Sequence, residues 1–300
     1  MSAAFRAMST DVAVIGVGLD PAAEAALLLG VRADFDASER RFSRFRPDSE
    51  LSRLNRAAGP LAVSASLFDA MRCARGYFEL TGGLFDPTVG GALEALGYDR
   101  GFAPGALDRA SPAPHPRPAS FADVGLDAAT RTVTRPPGVR LDLGGFIKGR
   151  TVDRAARRLP GAGAVDAGGD AALRGGGPDG DGWLVDVEDP AHPARVVATL
   201  RVRDRAVATS AANRRRWRAG GHEIHHLVHP RTGRSADTDL AQSTVLAPSA
   251  ELADVLAKTA FLLGARAGRR FLERLPAIAG VLVRRDGALE IVGDVEVIDA

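Results

Sequence analysis

Val139-Arg-Leu-Asp-Leu-Gly-Gly-Phe-Ile-Lys-Gly149 reads as a strand over Val139 to Leu143 that turns at Gly144-Gly145 into a helix reaching Leu159. Asp142 puts a carboxylate at the strand end, and Lys148 falls in the first helical turn. Backbone N–H groups at a helix N-terminus bind phosphate, and glycines let a ligand come close to the backbone. The stretch is neither a Walker A loop, which needs Gly-Lys-Ser/Thr after four spacers, nor the dinucleotide fingerprint. A second glycine turn, Asp166-Ala-Gly-Gly-Asp170, follows a strand around Ala164. Either glycine pair alone is a tight turn. Two of them flanking one helix, with Lys148 between, make a cradle for a diphosphate.

Working outward, Val12 to Val17 is an apolar run suited to a buried strand. Asp20-Pro21 then supplies the N-cap and first residue of a helix over Ala22 to Arg41. Ser64 opens a helix to about Leu80, stopped by Gly82-Gly83. Further strand-like runs lie at Val133, Trp183 to Val187, Val196 to Val202, Ala206 to Ser210, Ile224 to Val228 and Ser243 to Leu246. Ser249 caps a helix from Ala250 to about Leu263, a second covers Arg266 to Leu275, and two strands close the chain. Helices and strands come in clumps rather than in βαβ order, so the expected class is α+β with a largely antiparallel sheet. Gly101 to Pro118, rich in Pro, Ala and Gly, is expected to be an exposed loop.

The 300 residues suffice for one large domain or two small ones. Hydrophobic residues make up 45% and the net charge is only +2, so nothing requires a nucleic-acid partner. No stretch approaches the roughly 18 apolar residues of a membrane span. The first ten residues lack the apolar core of a secretory signal, so a cytoplasmic location is expected. The lone Cys73 excludes an internal disulfide and, in an apolar helical pattern with Ala70 and Tyr77, reads as a buried structural thiol. Among 39 Lys and Arg residues the only lysines are Lys148 and Lys258. In such a chain each Lys marks a place where a compact ammonium matters.

Four of the six histidines lie between His222 and His229, in Gly-Gly-His-Glu-Ile-His-His-Leu-Val-His-Pro-Arg-Thr-Gly233. His222-Glu223-Ile224-His225-His226 formally matches the zinc-protease signature, which works only on a helix. Two glycines before it and Pro230 after it argue against a helix, and alternation puts Ile224, His226 and Val228 on one face of a strand. Asp254 and Lys258 are four apart on the helix after Ser249, the spacing of an ordinary surface ion pair. Arg214-Arg-Arg-Trp-Arg218 reads as a solvated basic run.

Together these segments resemble the ApbE family, the FAD:protein FMN transferases. The matching pieces run in order: Met8-Ser-Thr10; Phe42-Ser-Arg-Phe-Arg-Pro-Asp-Ser-Glu-Leu-Ser-Arg-Leu-Asn55; Gly83-Leu-Phe-Asp-Pro-Thr-Val-Gly90; Leu141 to Gly149 with Asp153; Asp166 to Asp170; Ala208-Thr-Ser210; His225 to Gly233; and Ala253-Asp254 through Gly264. The resemblance implies a bilobal α+β protein holding FAD between its halves, with Mg²⁺ on the diphosphate. A Ser or Thr hydroxyl of an acceptor protein carrying a flavinylation motif would attack the FMN-side phosphorus, releasing AMP. It implies His226 as the base, and Met8, Thr10, Phe85, Asp86, Gly144, Gly145, Lys148, Gly168, Gly169, Thr209, Ser210, Arg231 and Thr232 around the nucleotide. The Ala167 carbonyl and Asp254 would be metal ligands. The family's metal-binding Thr falls on Lys258, and His229, Asp166 and Ala211 stand where the family usually has Asp, Asn and Gly. FAD hydrolysis to FMN and AMP, or simple FAD storage, are the alternatives on the same scaffold.

Overall fold

The computed structural model describes residues 2–101, 108–109 and 119–299. The chain forms two compact units, one from 1–36, 148–213 and 237–300, the other from 37–147 and 214–236. The helices are α1 Pro21–Phe42, α2 Glu50–Arg56, α3 Ala65–Leu80, α4 Gly90–Ala95, α5 Ile147–Ala156, α6 Ala250–Leu263 and α7 Ala265–Leu272. Among the described residues no helix is long and apolar enough to cross a membrane. The expected loop at 101–118 falls outside the described residues, apart from Gly101 and the short strand Asp108–Arg109.

The first unit is organised by an eight-stranded sheet in the order Ser2–Ala7, Thr10–Gly16, Gly163–Ala167, Asp170–Arg174, Arg205–Ala211, Leu240–Ala247, Ala279–Arg284, Leu289–Val292. Every neighbouring pair is antiparallel. The α+β class is therefore as the sequence suggests. Both faces are covered, which is why these strands read as apolar runs rather than as clean alternation. Val12, Val14, Val165 and Ala167 face a core with Val31, Phe35, Val152 and Leu159. Ala164, Leu173, Val207 and Val281 face the other core, against Trp183, Val187 and Leu200 of a three-stranded sheet. Each fully buried side chain such as Phe35 contributes about 1.5–3 kcal/mol over an exposed one.

Helix α6 starts where Ser249 caps it through the Leu252 N–H. Its first turn is also held from outside: Asp153 of α5 accepts from Ala250 N at 2.8 Å and Glu251 N at 2.9 Å. A carboxylate at a helix N-terminus satisfies amides that have no intrahelical partner. The approach is close because Gly149 has no side chain. A Cβ there would sit 2.3 Å from the Ala250 carbonyl oxygen.

In the second unit, Trp217, Ala219, Ile224 and Val228 pack on Val89, Leu93, Leu96 and Tyr98. The expected strand at Val139 to Leu143 is not regular. It makes one bridge, Arg140 with Val89, and is irregular over the next three residues. Its backbone is satisfied by other means: Asn55 accepts from Leu141 N at 2.8 Å and donates to Leu141 O at 2.9 Å, while Asp142 N donates to Pro87 O. Ile224 to Val228 is likewise not one strand. His222–His225 pairs with Arg216–Ala219, Val228–His229 pairs with Arg234–Ser235, and His226-Leu227 forms the bend between them. Exposed Arg216 of the basic run pairs with Glu223 at 2.9 Å. Cys73 is half-buried rather than buried, the closing helix ends at Leu272, and the chain closes on three strands, Ala279–Arg284, Leu289–Val292 and Glu296–Asp299.

Gly149→Ala is expected to lower stability by about 1–3 kcal/mol, because backbone rather than a flexible side chain fills the space. Urea denaturation checks this, with exposed Gly76→Ala in α3, where nothing lies within 4 Å, as the control expected to gain stability. A second expectation follows from the extended His222–His225 segment. Its histidines do not share a helix face, so the purified protein should carry no stoichiometric zinc. Elemental analysis finding one zinc per chain, lost on His222→Ala, would restore the protease reading.

Candidate functional site

The candidate residues of the first unit converge on one hairpin. Gly163–Ala167 and Asp170–Arg174 are joined by Gly168-Gly169, with φ of 61° and 92°. Positive φ at both positions is the geometry of a tight two-residue hairpin turn, and glycine adopts it without strain. Asp166 Oδ1 accepts from Gly169 N at 3.1 Å, closing the turn. Thr10 lies against one side, since a Cβ on Gly168 would meet its hydroxyl at 1.9 Å. Thr209 lies against the other, 3.9 Å from the corresponding position on Gly169, and its hydroxyl is 3.0 Å from that of Thr244. Ser210 follows Thr209 on the same strand and is buried.

Thr10 itself follows a strained turn. Met8 and Ser9 link the first two strands with φ of 50° and 60°. Non-glycine residues at positive φ cost free energy and persist only where the surroundings enforce them. Met8 packs beside the core beneath that tip.

Lys148 comes to this turn from α5. Its Nζ donates to the Ala167 carbonyl at 2.8 Å and forms an ion pair with Asp170, which is 2% exposed. Asp254, on α6, lies within electrostatic reach of Asp170. Part of Asp254 remains exposed, but its Oδ2 is out of reach of solvent. Burial, joined by the charge of Asp170, pushes Asp254 well above the usual carboxylate range, against the pull of Lys148 and then Lys258. Burial also raises Asp166, with Lys148 the main opposing influence. Thr259, the hydroxyl nearest Lys258 in sequence, is fully buried and donates to Val255 O at 2.8 Å inside its own helix.

The remaining candidates lie in the second unit. Phe85 is buried, with its ring edge-on to Tyr77 and Phe146 at 5.9 and 5.7 Å. Asp86 is buried too, accepting from Thr88 N, Thr88 Oγ1 and Phe121 N, bonds that brace a turn. Gly144 donates to Asp142 Oδ1 at 2.5 Å, and Gly145 follows within the same turn. His226 is half-buried in its bend, with its N–H on Arg215 O. His225 is held on both sides, its Nε2 3.1 Å from Ala236 O and its backbone clasped by Ser235 Oγ. At the following turn Thr232 N and Gly233 N donate to His229 O, and Arg231 N donates to His229 Nδ1. Burial and then the Arg231 charge hold His229 below its ordinary value. Arg231 and Thr232 are exposed.

Two residues that sequence reasoning passed over matter here. Asp170 is the counter-ion of Lys148, and an acidic residue directly after a Gly-Gly turn was the available signal. Arg44, whose side chain is 4% exposed, bonds Asp142 Oδ2 through Nε at 2.5 Å and lies over Phe45 and Tyr98 at 4.2 and 4.9 Å. Its position next to a phenylalanine in a polar stretch gave no such indication.

Comparison with known proteins identifies the family. The ApbE family model matches residues 8–282. A FAD:protein FMN transferase of Treponema pallidum is 31% identical over 93% of this chain and 84% of its own length. One from Haemophilus influenzae is 28% identical over 82% of this chain and 75% of its own. Among solved structures, the ApbE protein of Thermotoga maritima superposes with a TM-score of 0.85 at 26% identity, covering 97% of this chain and 96% of that one. The flavin transferase ApbE of Vibrio cholerae shares the fold at 24% identity, with a TM-score of 0.81 over 98% and 97% of the two chains. The chain belongs to the ApbE family.

Proposed function

We propose that the chain transfers FMN from FAD to a Ser or Thr hydroxyl of an acceptor protein. The observation that carries the reading is the Gly168-Gly169 hairpin with Lys148 bonded at its base and Thr10 and Thr209 on either side. Such a turn sets an ammonium and two threonine side chains beside a diphosphate. The names of the relatives supply the donor and the protein acceptor.

In this reading the hydroxyl oxygen forms a bond to the FMN-side phosphorus, and the bond from that phosphorus to AMP breaks. Little covalent work falls to the protein, so positioning and charge neutralisation dominate. His226 receives the hydroxyl proton, and AMP leaves with the electron pair of the broken bond. Arg231 and Thr232, exposed on the neighbouring turn, are proposed to contact the flavin nucleotide. Phe85 and Asp86 are proposed to lie near the nucleotide, as the family resemblance implies.

Mg²⁺ held by Ala167 and Asp254 is what the resemblance implies, and the donor set does not fit that ion. The Ala167 carbonyl already accepts from the Lys148 ammonium, and an ammonium, Lys258, stands one turn beyond Asp254. A divalent cation there meets like charge from both lysines. No step is therefore routed through a metal.

FAD should bind more tightly than FMN, since FMN lacks the diphosphate, and Lys148→Ala should narrow that difference in a titration of each flavin. Equal affinity for both in the unmodified protein would sink the reading. AMP should appear only when an acceptor is present, whereas AMP formed without acceptor would mean hydrolysis. His226→Ala should leave FAD binding intact and slow transfer by a factor on the order of 10²–10⁴, the scale of a lost general base. Activity within a few-fold of the original would assign the proton to another group, with Asp166 and His229 next in line.

A further inference from the structure

The chain uses arginine for nearly all its positive charge, and its two lysines, far apart in sequence, act on one carboxyl group. Lys148 arrives on α5 and reaches Ala167 and Asp170, and Lys258 arrives on α6 four residues after Asp254. Their chain positions are fixed independently, Lys148 by its bonds to Ala167 O and Asp170, Lys258 by its place one helical turn after Asp254. The Asp-to-Lys order at four residues is also the favourable one along a helix. Around the hairpin base lie the carboxyls of Asp166, Asp170 and Asp254, with Lys148 bonded among them and Lys258 one helical turn beyond Asp254.

We propose that Lys258 is a resident counter-charge of the phosphate site, supplying with Lys148 the positive charge that a bound diphosphate needs, so that FAD binds this chain without a divalent cation. The inference rests on the reading of the hairpin as the FAD diphosphate site. Its physical content is a replacement. A diphosphate linkage carries two negative charges, and two lysines match it with point charges covalently attached to the protein. A recruited ion would instead have to compete with the ammonium already on the Ala167 carbonyl and approach the one beside Asp254. Lysine suits the task because its ammonium is compact and carries three donors that reorient, so it can turn between a carboxylate and a phosphate oxygen.

The test is an FAD titration of the full-length protein, followed by flavin fluorescence, in chelator and in excess Mg²⁺. The unmodified protein is expected to bind equally in both, within about threefold. Lys258→Thr, which removes the charge and leaves an oxygen ligand, should bind FAD at least about tenfold more weakly in chelator and recover with Mg²⁺. A second readout is independent of flavin fluorescence. The Mn²⁺ EPR signal in the presence of FAD should show metal taken up by Lys258→Thr at concentrations where the unmodified protein takes up none. Circular dichroism checks that the variant is folded, and Lys258→Arg serves as the charge-retaining comparison should Lys258→Thr fail to fold. For that variant, chelator-independent binding is expected if charge alone suffices. FAD binding that needs Mg²⁺ in the unmodified protein would overturn the inference, as would a Lys258→Thr protein indistinguishable from it in chelator. If FAD fails to bind under either condition, the flavin reading fails instead, and the two failures are thereby separated.

Discussion

The docking of the α6 N-terminus onto α5 is the constraint on which the site of the first unit depends. Asp153 takes two amides of α6, Gly149 lets the backbones touch, and Arg150 pairs with Glu251 at 3.0 Å. Burial raises the Asp153 carboxyl, and only the Glu251 and Ala250 amides and nearby arginine charge oppose it. Ionised, it is thus held where water would otherwise be preferred, and the helix end compensates. Lys148 precedes Gly149 directly, and Asp254 lies one turn into α6. Fixing the two helices against each other therefore brings the lysine and the aspartate to the same hairpin.

The hairpin is where the fold accepts cost. Asp170 is almost fully buried, Asp166 and Asp254 are raised above the usual carboxylate range mainly by burial, and Met8 and Ser9 occupy the left-handed region beside them. Buried carboxyls that repel one another and a strained turn are not what a core optimised for stability would contain. Concentrations of this kind mark functional sites more often than structural ones. By contrast, buried Asp34 pairs with the half-exposed Arg154 and Arg158 at 2.9 and 2.5 Å, joining α1 to α5 and to the turn that follows it. Burial there works against the Asp34 charge, and the two arginines outweigh it.

How much of this was legible in sequence depended on whether the signal was local. Helix starts with a hydroxyl cap, Ser64 and Ser249, were readable to the residue because cap and first turn are neighbours. The Gly168-Gly169 turn was readable for the same reason. The segment after Val139 was misread as a regular strand because its partner is a side chain 86 residues away, Asn55. His226 was read into a continuous strand because alternation of Ile224 and Val228 survives a bend that changes the pairing partner. The order of motifs pointed to the family, while the link between Lys148 and Asp170 needed the hairpin to be folded.

The bias toward arginine sharpens what the two lysines mean. Guanidinium groups serve elsewhere in the chain wherever a carboxylate or several carbonyls can be met by a planar fork, as when Arg135 reaches the carbonyls of Leu54, Asn55, Ala57 and Val139. The base of the Gly168-Gly169 hairpin offers no such face. Its carbonyl and its carboxylate belong to residues three apart across a tight turn, and Thr10 already fills the space above Gly168. An ammonium at the end of a flexible stem, with three donors, meets both the Ala167 carbonyl and the Asp170 carboxylate. The composition of the chain and the size of the turn thus select the same residue.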